Sequence, residues 1–176
     1  MDLFETITAR HSYRGAFTDA PVPRDDLTKI VEAGLKAPSG KNEQTTTFVI
    51  VDDPAVMDQI RACHTMKAVQ QARAFIVCCV AREPVATYFD MYFDVEDCAA
   101  AVENILLAVT ALGYATVWID GALRREGRAE AIGKAIGIPA DRVVRILLPI
   151  GVPAEKGPRK EKKPFEERAW FNAYGG

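Results

Sequence analysis

Apolar positions recur along the chain at two periods, and the alternation between them lays out its elements. Leu3, Phe4 and Ile7 share one face of a short helix that Asp2, with Glu5 three residues on, begins as a capping box. After a Pro-containing turn from Asp19 to Pro23, Leu27, Ile30, Val31 and Leu35 repeat at three and four and predict a second helix that stops ahead of Pro38. Thr46 to Val51 reads as a strand, Pro54 to Ala62 as a helix begun by proline, and Phe75 to Val80 as a strand buried on both faces. From Asp94, the positions Val95, Cys98, Ala99, Val102, Ile105, Leu106, Val109 and Leu112 hold helical period until Gly113 caps the run. That helix is apolar nearly all round, so it is expected to be buried on two sides, inside the domain or across a dimer. Ala115 to Ile119 predicts a third strand, Arg124 to Ile136 a further helix ending at Gly137, and Val143 to Ile150 a fourth strand closed by Pro149 and Gly151. From residue 23 onward, this alternation by itself describes a parallel, doubly wound α/β sheet.

Length and composition narrow the setting. A chain of 176 residues, 49% hydrophobic and 26% charged, can bury a core without disulfides or a structural metal and is expected to form one domain over 1–176. Its net charge of −2 supplies no global basic field for nucleic acid or anionic lipid. Cys63, Cys78, Cys79 and Cys98 have none of the spacings of a zinc site or a disulfide framework, which points to reduced thiols in the cytoplasm. Cys78 and Cys79 are adjacent in a strand and face opposite sides, as core residues rather than a redox pair. No apolar run nears the roughly 20 residues needed to span a bilayer, and no leader opens the chain, so neither export nor a membrane partner is expected.

The candidate chemistry is scattered. Arg10-His11-Ser12-Tyr13-Arg14 follows the first helix, and two guanidiniums flanking a hydroxyl and an imidazole can hold a phosphate. Cations also suit a helix C-terminus, so this run alone reads first as a solvated helix end. Ala37 to Gln44 is dense in small and amide side chains. Ser39 and the backbone at Gly40 can meet hydroxyls, while Asn42 and Gln44 each offer a donor and an acceptor to a heterocycle, although a plain polar connection has the same composition. Asp120-Gly121 ends the third predicted strand where backbone N–H groups can approach a ligand closely. Lys156, Arg159, Lys160, Lys162 and Lys163 form a basic tail that is either solvated or closes an anion site. Tyr88, Phe89, Tyr92 and Phe93 can roof a flat ligand or simply pack. The Rossmann, P-loop and hydrolase-elbow motifs are missing, metal-ligand clusters are missing too, and His11 and His64 are the only histidines. What remains suits an enzyme whose reactive group belongs to a bound cofactor.

In combination and order, Arg10 to Arg14, Ala37 to Gln44, Asp97 to Gly113 running on through Trp118-Ile119-Asp120-Gly121, and Leu148-Pro149-Ile150-Gly151 with the basic tail resemble the FMN-dependent nitroreductases. The resemblance implies a different fold from the periodicity. It is an α+β sandwich with a mixed, mainly antiparallel four-stranded sheet flanked by helices, a long central helix, and FMN sites at the interface of a homodimer. Residues 153–176 would dock on the partner subunit. Arg10 and Ser12 would then bind the FMN phosphate and ribityl chain with His11 beside them, and Arg14 would place a cation at the N1 and O2 edge, favouring the reduced, anionic flavin. Ser39, Gly40, Asn42 and Gln44 would supply loop contacts, Asp120 and Gly121 would meet flavin N5, and Lys160 and Lys162 would complete the phosphate site. Arg14 and Asp120 are thereby the implied catalytic positions.

The activity implied is ping-pong hydride transfer from NADH or NADPH through FMN to a small-molecule acceptor, a nitroaromatic, a quinone or another flat compound. A flavin-fragmenting or other oxygen-dependent flavoenzyme of the same fold, and a non-catalytic flavin- or phosphate-binding protein, share these contacts and stay open. The chain departs from the family pattern in following Gln44 with Thr45-Thr46-Thr47 and in lacking the helical insertion of larger members, which implies a more open pocket.

Overall fold

The computed structural model describes residues 1–175; Gly176, the last residue of the expected domain, lies outside them. The elements are α1 (Leu3–Ala9), α2 (Arg24–Leu35), β1 (Thr47–Val51), α3 (Pro54–Ala62), α4 (Lys67–Gln70), β2 (Ala74–Ala81), α5 (Asp94–Ala111), α6 (Arg128–Ala135) and β3 (Arg142–Ile150). Single 3₁₀ turns occupy Gly40–Asn42 and Phe165–Glu167.

Several helix starts follow directly from side-chain chemistry. At α1 the capping box is complete: Glu5 N–H donates to Asp2 Oδ1 at 2.8 Å, and Asp2 N–H donates to Glu5 Oε2 at 2.9 Å. At α3, Pro54 takes the first helical position while Asp53 Oδ1 accepts from Ala55 and Val56 N–H at 2.9 and 3.0 Å. α6 starts later than its apolar period predicts. Glu126 and Gly127 adopt left-handed φ values of 59° and 66°, which no helix can run through, so Arg124 and Arg125 stay in the preceding turn.

The sheet has the order β1-β2-β3, antiparallel at both junctions, with Val49 opposite Val77 and Ile76 opposite Leu148. This corrects the parallel sheet suggested by periodicity and agrees with the sense implied by the resemblance. Hydrophobic period identifies strands and helices, but antiparallel neighbours can also be joined through helices, so it leaves the pairing sense open. β2 is central and splits the core by alternation. Phe75, Val77 and Cys79 face Tyr13, Phe17, α3, α4 and α6, whereas Ala74, Ile76, Cys78 and Val80 face α2 and α5.

The expected fourth strand is the second correction. Residues 115–119 run antiparallel to β3 but touch it through two isolated bridges, Ala115 with Gly151 and Ile119 with Leu147. Between those bridges the ladder requires an N–H from residue 149. Pro149 has none, so the pairing breaks at its centre and among the described residues the sheet has three strands.

α5 packs on α2 and β2 with Cys98, Val102, Ile105, Leu106 and Val109 buried, as its two-sided apolarity predicts. α1 differs: Thr6 is its buried residue, and Leu3, Phe4 and Ile7 point outward. No helix among the described residues is long and apolar enough to cross a membrane.

Candidate functional site

Arg10 caps α1 with ψ 130°, so the chain leaves the helix extended and successive side chains alternate in direction. Tyr13 turns inward and fixes the segment. Its N–H donates to Thr116 O at 2.8 Å, its hydroxyl donates to Ala16 O, and its ring packs on Phe17. Ser12 and Arg14 are consequently exposed, with Arg14 Nη1 donating to Ser12 O at 3.5 Å. Arg10 turns toward α5, where its Nε lies 3.2 Å from Glu103 Oε1.

His11 is the most informative member of the group. Its Nδ1 lies 3.1 Å from Ala9 O, so this nitrogen carries the proton, and Nε2 is a buried atom without a partner. An orphaned buried polar atom costs about 1–3 kcal/mol, which a ligand hydroxyl or, with the ring protonated, a ligand oxyanion would recover. The ring borders an open cleft of about 640 Å³ whose other walls are Pro153, Ala154, Glu155, Lys156, Gly157 and Arg159. A Cβ on Gly157 would come within 3.0 Å of His11 Nε2 and 2.9 Å of Tyr13 Cδ2, so glycine is what lets the tail pass so closely. Two tail cations, Lys156 and Arg159, beside an unpaired imidazole nitrogen fit a phosphate-bearing ligand. Lys160 and Lys162 lie beyond this cleft, are exposed, and make no ion pair among the described residues, whereas Lys156 and Arg159 line it.

The second group is strained and tightly held. Lys41, Asn42 and Gln44 have φ values of 46°, 60° and 51°, a left-handed conformation that costs a non-glycine residue on the order of 1 kcal/mol. Ser39 Oγ accepts from Gln44 N–H at 3.0 Å and closes the loop on itself. Asp97, buried on α5, accepts from Gly40 N–H at 2.9 Å and from Thr45 Oγ1 at 3.2 Å. Arg142 Nη1, from β3, donates to Thr45 O at 2.7 Å. The ring of Phe93 lies under Gly40, where a Cβ would sit 2.7 Å from Cδ2. Lys41 Nζ stands 4.9 Å from the centre of the exposed Tyr88 ring.

Asp120 forms a third group. Arg124 grips its carboxylate with a two-pronged fork, Nε to Oδ1 at 2.6 Å and Nη2 to Oδ2 at 2.8 Å, and the hydrogen bond raises the Arg124 pKa further. Arg145 Nη2 approaches Oδ2 at 3.6 Å. Arg145 has no register partner on β2, because the pairing shifts between Cys78 and Cys79, and this bulge aims its side chain at Asp120. Gly121 is exposed with open space around it. No hydrogen bond or ion pair among the described residues joins these three groups to one another.

Asp97, Arg142 and Arg145 are absent from the sequence-derived site. Asp97 and Arg145 each place a charge inside an apolar period, which demands a partner but does not identify it, whereas Arg142 stands just ahead of the predicted strand. The cysteines behave as core residues. Cys78, Cys79 and Cys98 are buried, and burial pushes the thiols of Cys79 and Cys98 up to about 11.

The model of the nitroreductase family matches residues 7–75 and 62–152. The chain belongs to that family. A protein of Archaeoglobus fulgidus, provisionally named an NADH dehydrogenase/NAD(P)H nitroreductase, is 34% identical over 167 residues, covering 94% of this chain and 90% of that protein. Two solved structures share the fold. The nitroreductase with bound FMN from Bacteroides fragilis is 28% identical with a TM-score of 0.74 and covers 93% of this chain and 95% of its own. A provisionally named nitroreductase in complex with FMN from Desulfovibrio desulfuricans is 30% identical with a TM-score of 0.78 and covers 95% of this chain and 94% of its own.

Proposed function

We propose that this chain is an FMN-dependent NAD(P)H oxidoreductase that reduces flat, electron-poor acceptors such as nitroaromatics or quinones in a ping-pong cycle. The observation that carries the reading is the cleft at His11, where an unpartnered buried nitrogen lies beside the tail cations Lys156 and Arg159. Bound FMN would supply the hydride-accepting and hydride-donating centre that no side chain here replaces. The rest falls to the protein.

Arg10, Ser12 and His11 hold the phosphate and ribityl chain, with Lys156 and Arg159 joining Lys160 and Lys162 as tail cations. Arg14, exposed and bonded only weakly to Ser12 O, keeps its charge available to the cofactor edge that becomes anionic on reduction. Ser39, Gly40, Asn42 and Gln44 form the opposing contacts. Asp120 is neutralised by two guanidiniums, so it anchors the turn that presents the Gly121 amide rather than moving a proton.

The working unit is a homodimer. Exposed apolar residues on α1, Leu3, Phe4 and Ile7, and on the tail, Phe165, Phe171 and Tyr174, present surface that a second copy would cover. Dimerisation would also bring together groups that one chain keeps apart. Four free thiols suit a cytoplasmic setting.

Anaerobic addition of NADH or NADPH to the FMN-loaded protein is expected to bleach the flavin bands, and a quinone or nitroaromatic is expected to restore them. Bands that persist with both donors contradict the oxidoreductase reading.

A further inference from the structure

The loop from Ser39 to Thr45 combines two properties that rarely coexist without a cause. Three of its non-glycine residues, Lys41, Asn42 and Gln44, are left-handed, so its intrinsic preference is to relax. It is nevertheless fixed at both ends by one buried carboxylate. Asp97 Oδ1 takes the Gly40 N–H at 2.9 Å and Oδ2 takes the Thr45 hydroxyl at 3.2 Å, so its two oxygens clamp the beginning and end of the strained stretch to the same point of α5.

A carboxylate can tolerate that burial because it lies in the first turn of an 18-residue helix, where the unpaired N–H groups and the macrodipole favour negative charge. Arg142 grips Thr45 O from β3 at 2.7 Å, and Phe93 fills the space beneath Gly40. The side chains left facing out are those of Lys41, Asn42, Glu43 and Gln44, the first, second and fourth of them on left-handed backbone. Nothing in the core requires this arrangement: all four are exposed. Strain held in place by a buried charge, on a loop whose outward groups are donors and acceptors, is a device for presenting those groups in one fixed geometry.

We propose that Asp97 is a positioning residue that staples the 39–45 loop to α5 and thereby sets the contacts of Ser39, Asn42 and Gln44 with FMN; this rests on the cofactor reading above. The staple acts in the flavin-free protein as well, because every bond that composes it is internal to the chain.

The test uses the full chain with Asp97→Ala, Asp97→Asn and Thr45→Val. In flavin-free protein, residue-resolved amide exchange should accelerate at least about tenfold at Gly40 in Asp97→Ala, the loss of one hydrogen bond to a charged group, while Ile76 and Cys78 in β2 are unchanged. FMN titrated into the same samples should bind at least about tenfold more weakly to Asp97→Ala. Asp97→Asn keeps an oxygen for the Gly40 N–H and should return exchange and affinity to within about threefold of the unaltered protein. Thr45→Val removes one arm only and, if Asp97→Ala does not fold, serves in its place with a smaller shift in the same direction.

Unchanged Gly40 exchange in Asp97→Ala, or in Thr45→Val standing in for it, overturns the staple. Faster exchange with unchanged FMN affinity overturns its role in positioning. If the unaltered protein binds no FMN at all, the cofactor reading falls and takes the positioning role with it.

Discussion

The two sides of the candidate site are built on opposite principles. On the side of Arg10 to Arg14 and the tail, long cationic side chains stand in or near solvent, with Arg10 committed to Glu103 and Lys163 to Glu167. On the side of Ser39 to Thr45, the amide side chains of Asn42 and Gln44 stand out beside the exposed charges of Lys41 and Glu43, while Asp97 and Arg142 sit behind the loop and hold its backbone. In the proposed site, one side would attract by field and adapt by rotamer. The other would select by fixed geometry, at the expense of local strain. Altering a charge should therefore change affinity on the first side and change order or stability on the second.

The largest effect is expected on the cationic side. Arg10→Ala should weaken FMN binding by about 2–3 kcal/mol, the range for a charge-assisted hydrogen bond, with little change in unfolding midpoint; Glu103→Gln, which frees Arg10, should move affinity the other way. Equilibrium titration by flavin fluorescence reads both.

On the loop side, Gly40→Ala puts a Cβ at 2.7 Å from Phe93 Cδ2 and should cost about 1–3 kcal/mol of stability by denaturant unfolding, recovered in part by Phe93→Leu. Arg14→Ala should lower the two-electron flavin potential by about 30 mV, or about 1.4 kcal/mol, without loosening the loop. Potentiometry on the loaded protein checks it, and an unchanged potential removes Arg14 from that role.

Gln44→Gly should raise stability by about 0.5–1 kcal/mol through relief of a left-handed residue while weakening FMN binding. A gain in both would break the contrast between the two sides.

The smallest effect lies outside the site. Tyr114 donates to Asp26 Oδ2 at 2.8 Å, and burial, followed by that carboxylate, pushes its pKa from 10.0 up to about 12. The folded state therefore holds the phenol proton more tightly than the unfolded chain. Its contribution is complete below pH 10 and is lost as pH rises through about 12. Solvent screening keeps it below about 1 kcal/mol, and Tyr114→Phe should flatten the alkaline limb of a stability–pH curve.

Much of the fold was legible because it depends on local chemistry. The capping box at Asp2, the proline start of α3 and the two-sided apolarity of α5 all appear as expected. Pairing was less legible. Pro149 was visible as a strand terminator, yet its effect falls on a neighbour far off in sequence, where it denies residues 115–119 a continuous ladder. Glu126 and Gly127 delayed α6 by a backbone choice that hydrophobic period does not encode.

The same division runs through the site. Arg10, Ser12 and Arg14 stand out as a polar run after a helix, while Asp97 and Arg145 look like interruptions in apolar periods, and Arg142 like a charge ahead of a strand, until the tertiary fold supplies their partners. Arg145 becomes interpretable only through the bulge that turns it toward Asp120.

The most direct test of the whole account is titration of the flavin-free protein with FMN at low and high ionic strength. A site built on exposed cations predicts saturable binding, stoichiometric with the chain, whose affinity falls as salt rises. Failure to bind FMN at either ionic strength would contradict the assignment of the His11 cleft and of the 39–45 loop to a flavin site.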